Sequence, residues 1–287
     1  MVIDRMWEVR FDELVSRPVR AGAMVVATQG VTPVVVVLDA DSNEFVAVSG
    51  LPARLSPETV SLSSDGTRLV FLAPQDSGAG PMRVLLFTLE TRALQAFASD
   101  DFLQAALSPD GKRLAVLSDH SDVGTAGITL IDISTGDRRL LWSAGGFWEE
   151  AAVGWSPDGE LLAVTYLSAD GILTTAVLDV AGRTIGVYPE RAALPGPHSV
   201  WMNERELLVY PDPDDESPLI VIDVPTHGEH RFTRRNFNGY IAAHAGRVVR
   251  RGHAPGLYIT SNLNDEDERE FLAFSPPAAI AALDITP

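Results

Sequence analysis

Three features of the sequence together predict an all-β fold, a β-propeller of about six four-stranded blades. A turn motif recurs about every 45 residues, six short strands end in an acidic residue, and no segment carries a sustained helical period. A seven-bladed ring is the alternative. The 287 residues are expected to form a single propeller domain over residues 1–287.

The turn motif occurs in three clear copies, each followed by an apolar strand. They begin at Leu62 (Leu-Ser-Ser-Asp-Gly), Leu107 (Leu-Ser-Pro-Asp-Gly) and Trp155 (Trp-Ser-Pro-Asp-Gly). A degraded fourth copy begins at Val200 (Val-Trp-Met-Asn-Glu-Arg-Glu) and keeps the apolar pattern without Pro-Asp-Gly. This spacing is typical of blades with four strands each. Trp155 takes the motif position that Leu62 and Leu107 hold in the other copies. It is expected to end an inner strand and to pack between blades.

The chemistry of a tight hairpin explains the motif without any catalytic role. Proline fixes φ near −65°, aspartate hydrogen-bonds its own backbone, and glycine takes the positive φ that closes the turn. The pairs predicted to be structural turn residues are Asp65 and Gly66, Asp110 and Gly111, and Asp158 and Gly159.

A second marker, independent of the turn, is an apolar strand that ends in an acid. It occurs six times, at Val37-Leu-Asp39, Thr88-Leu-Glu90, Leu130-Ile-Asp132, Val177-Leu-Asp179, Val221-Ile-Asp223 and Ala282-Leu-Asp284. Six occurrences favour six blades.

The two ends of the chain are expected to close the ring by pairing with each other. If residues 264–267 form the first turn of the last blade, residues 269–275 and 279–285 become its second and third strands. Residues 6–11, with apolar side chains at alternate positions, then supply its fourth strand. This assignment leaves residues 237–253 as an extra hairpin between blades five and six.

Composition narrows the classes of function. The chain has no cysteine, which excludes disulfides, thiolate nucleophiles and cysteine-based zinc sites. Its formal net charge is −17 and it lacks a basic cluster, so nucleic acid is not expected as a partner. No apolar run approaches the roughly 20 residues of a membrane span, and no export signal is evident. A cytoplasmic, monomeric protein is expected.

The Ser-Pro-Asp-Gly copies at 108–111 and 156–159, with Ser-Ser-Asp-Gly at 63–66, resemble the repeats of TolB-like propellers, relatives of the WD-type repeat. The resemblance implies a fold more than an activity, because such blades serve as protein-docking platforms and as lids of certain serine peptidases. Neither the small α/β domain of TolB-like proteins nor a hydrolase domain is expected in this chain, since the predicted blades leave no residues to form one and no Gly-x-Ser-x-Gly motif occurs.

One rim of the predicted propeller carries the candidate binding site. The loops from second to third strand and from fourth strand to the next blade share this rim, over residues 119–127, 144–150, 189–198 and 211–217. The segment Gly145-Gly-Phe-Trp-Glu-Glu places two aromatics beside flexible glycines and two acids, a combination suited to an adaptable anchor. The predicted partner-binding residues are Phe147, Trp148, Glu149, Glu150, His198 and His120. Alternatively, Phe147 and Trp148 cap the propeller channel.

Metal chemistry has weaker support in the sequence. Four acids at 212, 214, 215 and 216 fit a solvated loop, and the segment from Asp39 lacks the glycine and glutamate of an EF-hand. His227 and His230 lie in a predicted turn with no third ligand nominated. No metal and no cofactor are therefore expected. The sequence favours a non-catalytic scaffold that binds a protein or peptide; the alternative is a small lactonase or lyase with a divalent cation in its channel.

Overall fold

The computed structural model describes residues 5–29, 32–75, 81–100, 102–120, 125–193, 201–210, 219–232, 240–244, 247–251, 254–255, 257–262, 267–275 and 278–285. Their regular secondary structure is almost entirely β-strand, and the strands form six blades. A short 3₁₀ turn at Pro57–Thr59 is the one helical element in the described ranges, and nothing in them forms a helix able to cross a membrane. The predicted all-β propeller of about six blades is confirmed.

The strands are numbered in chain order. The first eight are β1 (Trp7–Arg10), β2 (Gly22–Thr28), β3 (Val35–Asp39), β4 (Phe45–Ala47), β5 (Ser61–Leu62), β6 (Arg68–Pro74), β7 (Met82–Thr88) and β8 (Leu94–Asp100). The next eight are β9 (Phe102–Leu107), β10 (Arg113–His120), β11 (Thr125–Asp132), β12 (Arg138–Trp155), β13 (Leu161–Ser168), β14 (Leu173–Asp179), β15 (Thr184–Pro189) and β16 (Ala192–Ala193). The last eight are β17 (Glu206–Tyr210), β18 (Ile220–Asp223), β19 (Gly228–Arg231), β20 (Tyr240–His244), β21 (Arg247–Arg251), β22 (Leu257–Asn262), β23 (Arg269–Ser275) and β24 (Ile280–Ile285).

Each blade has four antiparallel strands. From the innermost to the outermost strand, blade one is β24-β2-β3-β4, blade two is β5-β6-β7-β8, blade five is β16-β17-β18-β19, and blade six is β20-β21-β22-β23. Blades three and four share the long strand β12, whose first part is the outer strand of β9-β10-β11-β12 and whose second part is the inner strand of β12-β13-β14-β15.

Pairing between the two ends of the chain closes the ring, as predicted. The C-terminal strand β24 pairs antiparallel with β2, with Leu283 opposite Val26. In addition, the N-terminal strand β1 pairs parallel with β23, with Val9 opposite Phe274, and adds a fifth strand to blade six. The chain then continues to the outer edge of blade one, where Val15 bridges Val46. Both ends therefore tie blade six to blade one.

The individual strands of blade six differ from the sequence-based assignment. Residues 269–275 form its outer strand rather than its second, and the C-terminal strand is the inner strand of blade one. Residues 240–244 and 247–251 are the first two strands of blade six, not an extra hairpin. The physical reason is that blade six has no Ser-Pro-Asp-Gly turn, so nothing local marks where its first hairpin lies.

Paired alanines mark the innermost strand in five of the six blades. They occur at 105–106, 151–152, 192–193, 242–243 and 281–282, on β9, β12, β16, β20 and β24. Ala106, Ala152 and Ala192 are each at most 1% exposed. Inner strands converge around the propeller axis, so small side chains fit where larger ones would overlap.

The three aspartate turns share one set of hydrogen bonds. Ser63 donates its hydroxyl to Asp65 (2.6 Å) and accepts the N–H of Arg68 (2.9 Å), and the same pair of bonds recurs around Asp110 and Asp158. Burial of the Asp65 carboxyl disfavours its charged form, but the hydrogen bonds from Ser63 and Thr67 outweigh burial and hold its pKa below the ordinary value. The three carboxylates therefore act as hydrogen-bond acceptors within their own turns.

Gly66, the glycine of the first of these turns, also contacts the preceding blade. Gly66 has φ of +68°, and the N–H of Gly22 in blade one donates to its carbonyl oxygen at 2.7 Å. A Cβ at Gly66 would overlap the carbonyl oxygen of Gly22. The turn therefore needs glycine both for its backbone conformation and for the contact between blades.

The core consists of separate layers between neighbouring blades. Six clusters of buried apolar residues lie in the described part of the chain, one at each blade interface. Trp155 lies in the layer between blades three and four, as expected, and is 7% exposed.

Candidate functional site

Strand β12 crosses the predicted binding rim. The sequence suggested a loop over residues 144–150, but β12 is continuous from Arg138 to Trp155. Gly145 pairs with Thr125 of blade three, and the next residue, Gly146, pairs with Ser168 of blade four. Because neighbouring hairpins on both sides offer backbone partners, the segment extends as a strand instead of forming a free loop.

The backbone register brings several predicted site residues to this crossing. Phe147 pairs with Leu167, and the register then shifts until Ala152 meets Thr165, so Trp148, Glu149 and Glu150 lie within the irregular stretch. Such a bulge re-aims side chains and is frequent beside functional sites.

Of the other two predicted site residues, His120 and His198, the structure describes only His120. His120 ends β10 opposite Thr125, the same residue that pairs with Gly145, so it lies on the rim that β12 crosses. It belongs to an extended hairpin rather than to the predicted loop over residues 119–127. His198 lies outside the described residues, as does the loop over residues 211–217.

An aromatic pair that the sequence interpretation missed lies beside the crossing. The rings of Trp142 on β12 and Tyr166 on β13 meet edge to face, with centroids 5.3 Å apart and an interplanar angle of 67°. Both side chains are partly buried, and burial raises the pKa of the Tyr166 hydroxyl above its ordinary value. The pair joins blades three and four close to the rim and leaves aromatic surface in contact with solvent.

The tip of the β13–β14 hairpin adds aliphatic surface to the same rim. Ser168 shapes the turn, because its carbonyl oxygen accepts the N–H of Gly171 (2.8 Å) and its hydroxyl accepts the N–H of Ile172 (3.1 Å). Ile172 is 39% exposed at this tip. We call the combined surface of residues 118–120, 125–127, 142–150 and 166–173 the ridge.

The histidines and acids of the described ranges show no metal centre. No group of three His, Cys, Asp or Glu side chains in those ranges is arranged to hold a metal ion. His227 instead shares a hydrogen bond of 3.1 Å with the Tyr188 hydroxyl, between blades four and five. Asp39 is paired with Arg17 at 2.6 Å.

Comparison with solved structures shows which propellers share this architecture. TolB from Acinetobacter baumannii superposes with a TM-score of 0.68 at 14% identity, over 93% of this chain and 67% of that one. A putative TolB from Agrobacterium tumefaciens gives 0.57 at 13% identity, over 93% of this chain and 99% of that one.

The fold is that of a TolB-like β-propeller.

Other proteins share the TolB-like propeller architecture at comparable similarity. An oligogalacturonate lyase in complex with manganese matches with a TM-score of 0.56 at 12% identity, over 87% of this chain and 73% of that one. No family model and no curated protein matches the sequence of this TolB-like propeller. At these identities the similarity is one of fold.

Proposed function

We propose that this chain is a non-catalytic scaffold that presents the ridge and the adjoining channel mouth to a protein or peptide partner. The observation that carries the proposal is the crossing of β12 from blade three to blade four beside the partly exposed pair of Trp142 and Tyr166. Blade closure does not require aromatic surface at this position, whereas interfaces are enriched in it.

The construction of the ridge suits binding by a preformed surface. Its hairpins are paired strand to strand, and the crossing strand is paired on both sides of its irregular stretch, so little chain entropy is lost when a partner docks. Ile172 supplies an exposed apolar contact, and Glu149 and Glu150 contribute negative charge in the crossing segment. With a net charge of −17 on the chain, we infer a partner whose contact surface is basic around an apolar centre.

Two isoleucines of blade four provide a matched test. Ile172 on the ridge is 39% exposed, and Ile185 on the outer strand β15 is 38% exposed. A partner is first captured with the wild-type chain, identified and purified. Ile172→Ala should then weaken its affinity by about fivefold or more, while Ile185→Ala should leave affinity unchanged. Equal affinities for both variants would argue against the ridge.

The enzyme alternative has one observation in its favour. The propeller fold is shared with an oligogalacturonate lyase whose structure was solved with manganese. A lactonase or lyase of this kind would hold a divalent cation in its channel. Elemental analysis of the purified protein separates the two functions, because about one equivalent of a bound divalent cation per chain would favour the enzyme.

A further inference from the structure

A groove of about 450 Å³ lies on the rim opposite the ridge. Its walls come from equivalent turns of neighbouring blades, the β3–β4 turn of blade one and the β7–β8 turn of blade two, and the segment that precedes β2 completes it. The groove is open to solvent, and its volume would admit a short peptide.

One part of the groove is an ion pair whose charges are already balanced. The Arg17 guanidinium lies 2.6 Å from the Asp39 carboxylate, whose side chain is 4% exposed. Ser42 bridges the two, since it accepts from Arg17 at 2.8 Å and donates to Asp39 at 3.1 Å. Arg17 and Asp39 thus shape the groove without leaving a net charge for a ligand.

Three other charged side chains in the groove are not paired within the described residues. Arg20, Asp41 and Glu90 are exposed, and within the described residues none of their side chains forms an ion pair or a side-chain hydrogen bond. Opposite charges therefore line one groove without neutralising each other. A guanidinium binds a carboxylate through two parallel hydrogen bonds, and carboxylates accept hydrogen bonds from an ammonium group.

We propose that this groove binds a short peptide with free ends, its α-carboxylate on Arg20 and its α-ammonium on Asp41 and Glu90. A ligand that carries both charges suits a groove lined by both a guanidinium and free carboxylates. A polyanion such as a phosphate ester does not, because two free carboxylates would face it. This site is independent of the ridge and lies on the other rim.

Dialanine is a suitable probe because its methyl side chains leave the two terminal charges as its only ionic groups. Calorimetric titration should show saturable binding with a dissociation constant on the order of 1 mM, since contacts between exposed charges are individually weak. N-acetyl-dialanine and dialanine amide each lack one charge. Each should bind at least about tenfold more weakly than dialanine, the equivalent of 1.4 kcal/mol.

Variants of the groove and matched variants elsewhere complete the test. Arg20→Gln, Asp41→Asn and Glu90→Gln should each weaken dialanine binding by about fivefold or more. The controls Arg138→Gln, Asp137→Asn and Glu160→Gln change exposed residues of blades three and four and should leave it unchanged. Because all six positions are exposed, circular dichroism should show the same folded spectrum for each.

Three results would overturn the proposal. The first is the absence of saturable dialanine binding to the wild-type chain. The second is unchanged affinity for N-acetyl-dialanine or dialanine amide, which would mean that the site does not recognise both terminal charges. The third is an equal loss of affinity in the groove variants and in the controls.

Discussion

The indole N–H of Trp155 donates a hydrogen bond of 3.1 Å to the carbonyl oxygen of Ala106 in the preceding blade. One repeat later, Trp201 donates in the same way to Gly154, also at 3.1 Å. Ala106 and Gly154 each precede the residue at the tryptophan position of their own blade. The tryptophans thus connect blades three, four and five, which explains why the degraded motif keeps its tryptophan at Trp201.

Trp155→Phe is expected to destabilise the fold because it removes the buried hydrogen bond from the indole to the carbonyl oxygen of Ala106. The loss should be about 1–3 kcal/mol in the free energy of unfolding, measured by urea titration. Trp142→Phe is the control, since it keeps an aromatic ring at a partly exposed site and should lose under about 1 kcal/mol. Equal losses in the two variants would show that the indole hydrogen bond contributes nothing specific.

Two glycines with similar backbone conformations separate turn strain from contact between blades. Gly66 has φ of +68° and Gly136 has φ of +77°, but a Cβ at Gly136 would meet no atom within 4 Å. Gly136→Ala should lose about 1–2 kcal/mol, the penalty of a left-handed alanine. Gly66→Ala should lose about 2 kcal/mol more, because its Cβ overlaps Gly22. Thermal and urea unfolding measure both, and similar losses would contradict the proposed contact.

The sequence predicted correctly those blades whose first turn carries the Asp-Gly motif. Ser-Pro-Asp-Gly places a hairpin wherever it occurs, so blades two to four could be assigned from residues 62–179. Blade six has no such turn motif, and its strands were assigned two positions out of phase. The paired alanines, readable at 242–243 and 281–282, would have marked its inner strand and that of blade one.

The candidate site was harder to predict because tertiary register assembles it. Trp142 and Tyr166 are 24 residues apart in different blades, and no repeat or motif links them. Arg17 and Asp39 meet only because the N-terminal segment returns along blade one. Sequence pattern reports local turns and alternation, whereas these contacts depend on how the closed ring places its ends.

Closure of the ring by the N-terminal strand can be tested at two adjacent positions. Val9 of β1 is fully buried against blade six, and its neighbour Glu8 is exposed. Val9→Ala should lose about 2 kcal/mol of unfolding free energy, while Glu8→Ala should stay within about 0.5 kcal/mol of the wild type.

Removal of residues 1–12 extends the same test to the whole strand. The truncated chain loses β1 and leaves the edge of β23 unpaired, so it should aggregate or melt markedly lower. Melting by differential scanning calorimetry is the measurement. A truncated chain that melts like the full chain would show that the parallel pairing does not stabilise the ring.

The central claim, that the ridge is the partner-binding surface, is tested most directly by Trp148→Ala with two readouts on the same protein. If Trp148 is an anchor, the melting temperature should change little, while affinity for the purified partner should fall by about 2 kcal/mol or more, roughly thirtyfold. If Trp148 caps the channel, the variant should melt lower and bind normally. Normal binding by Trp148→Ala would contradict the assignment of this residue to the site.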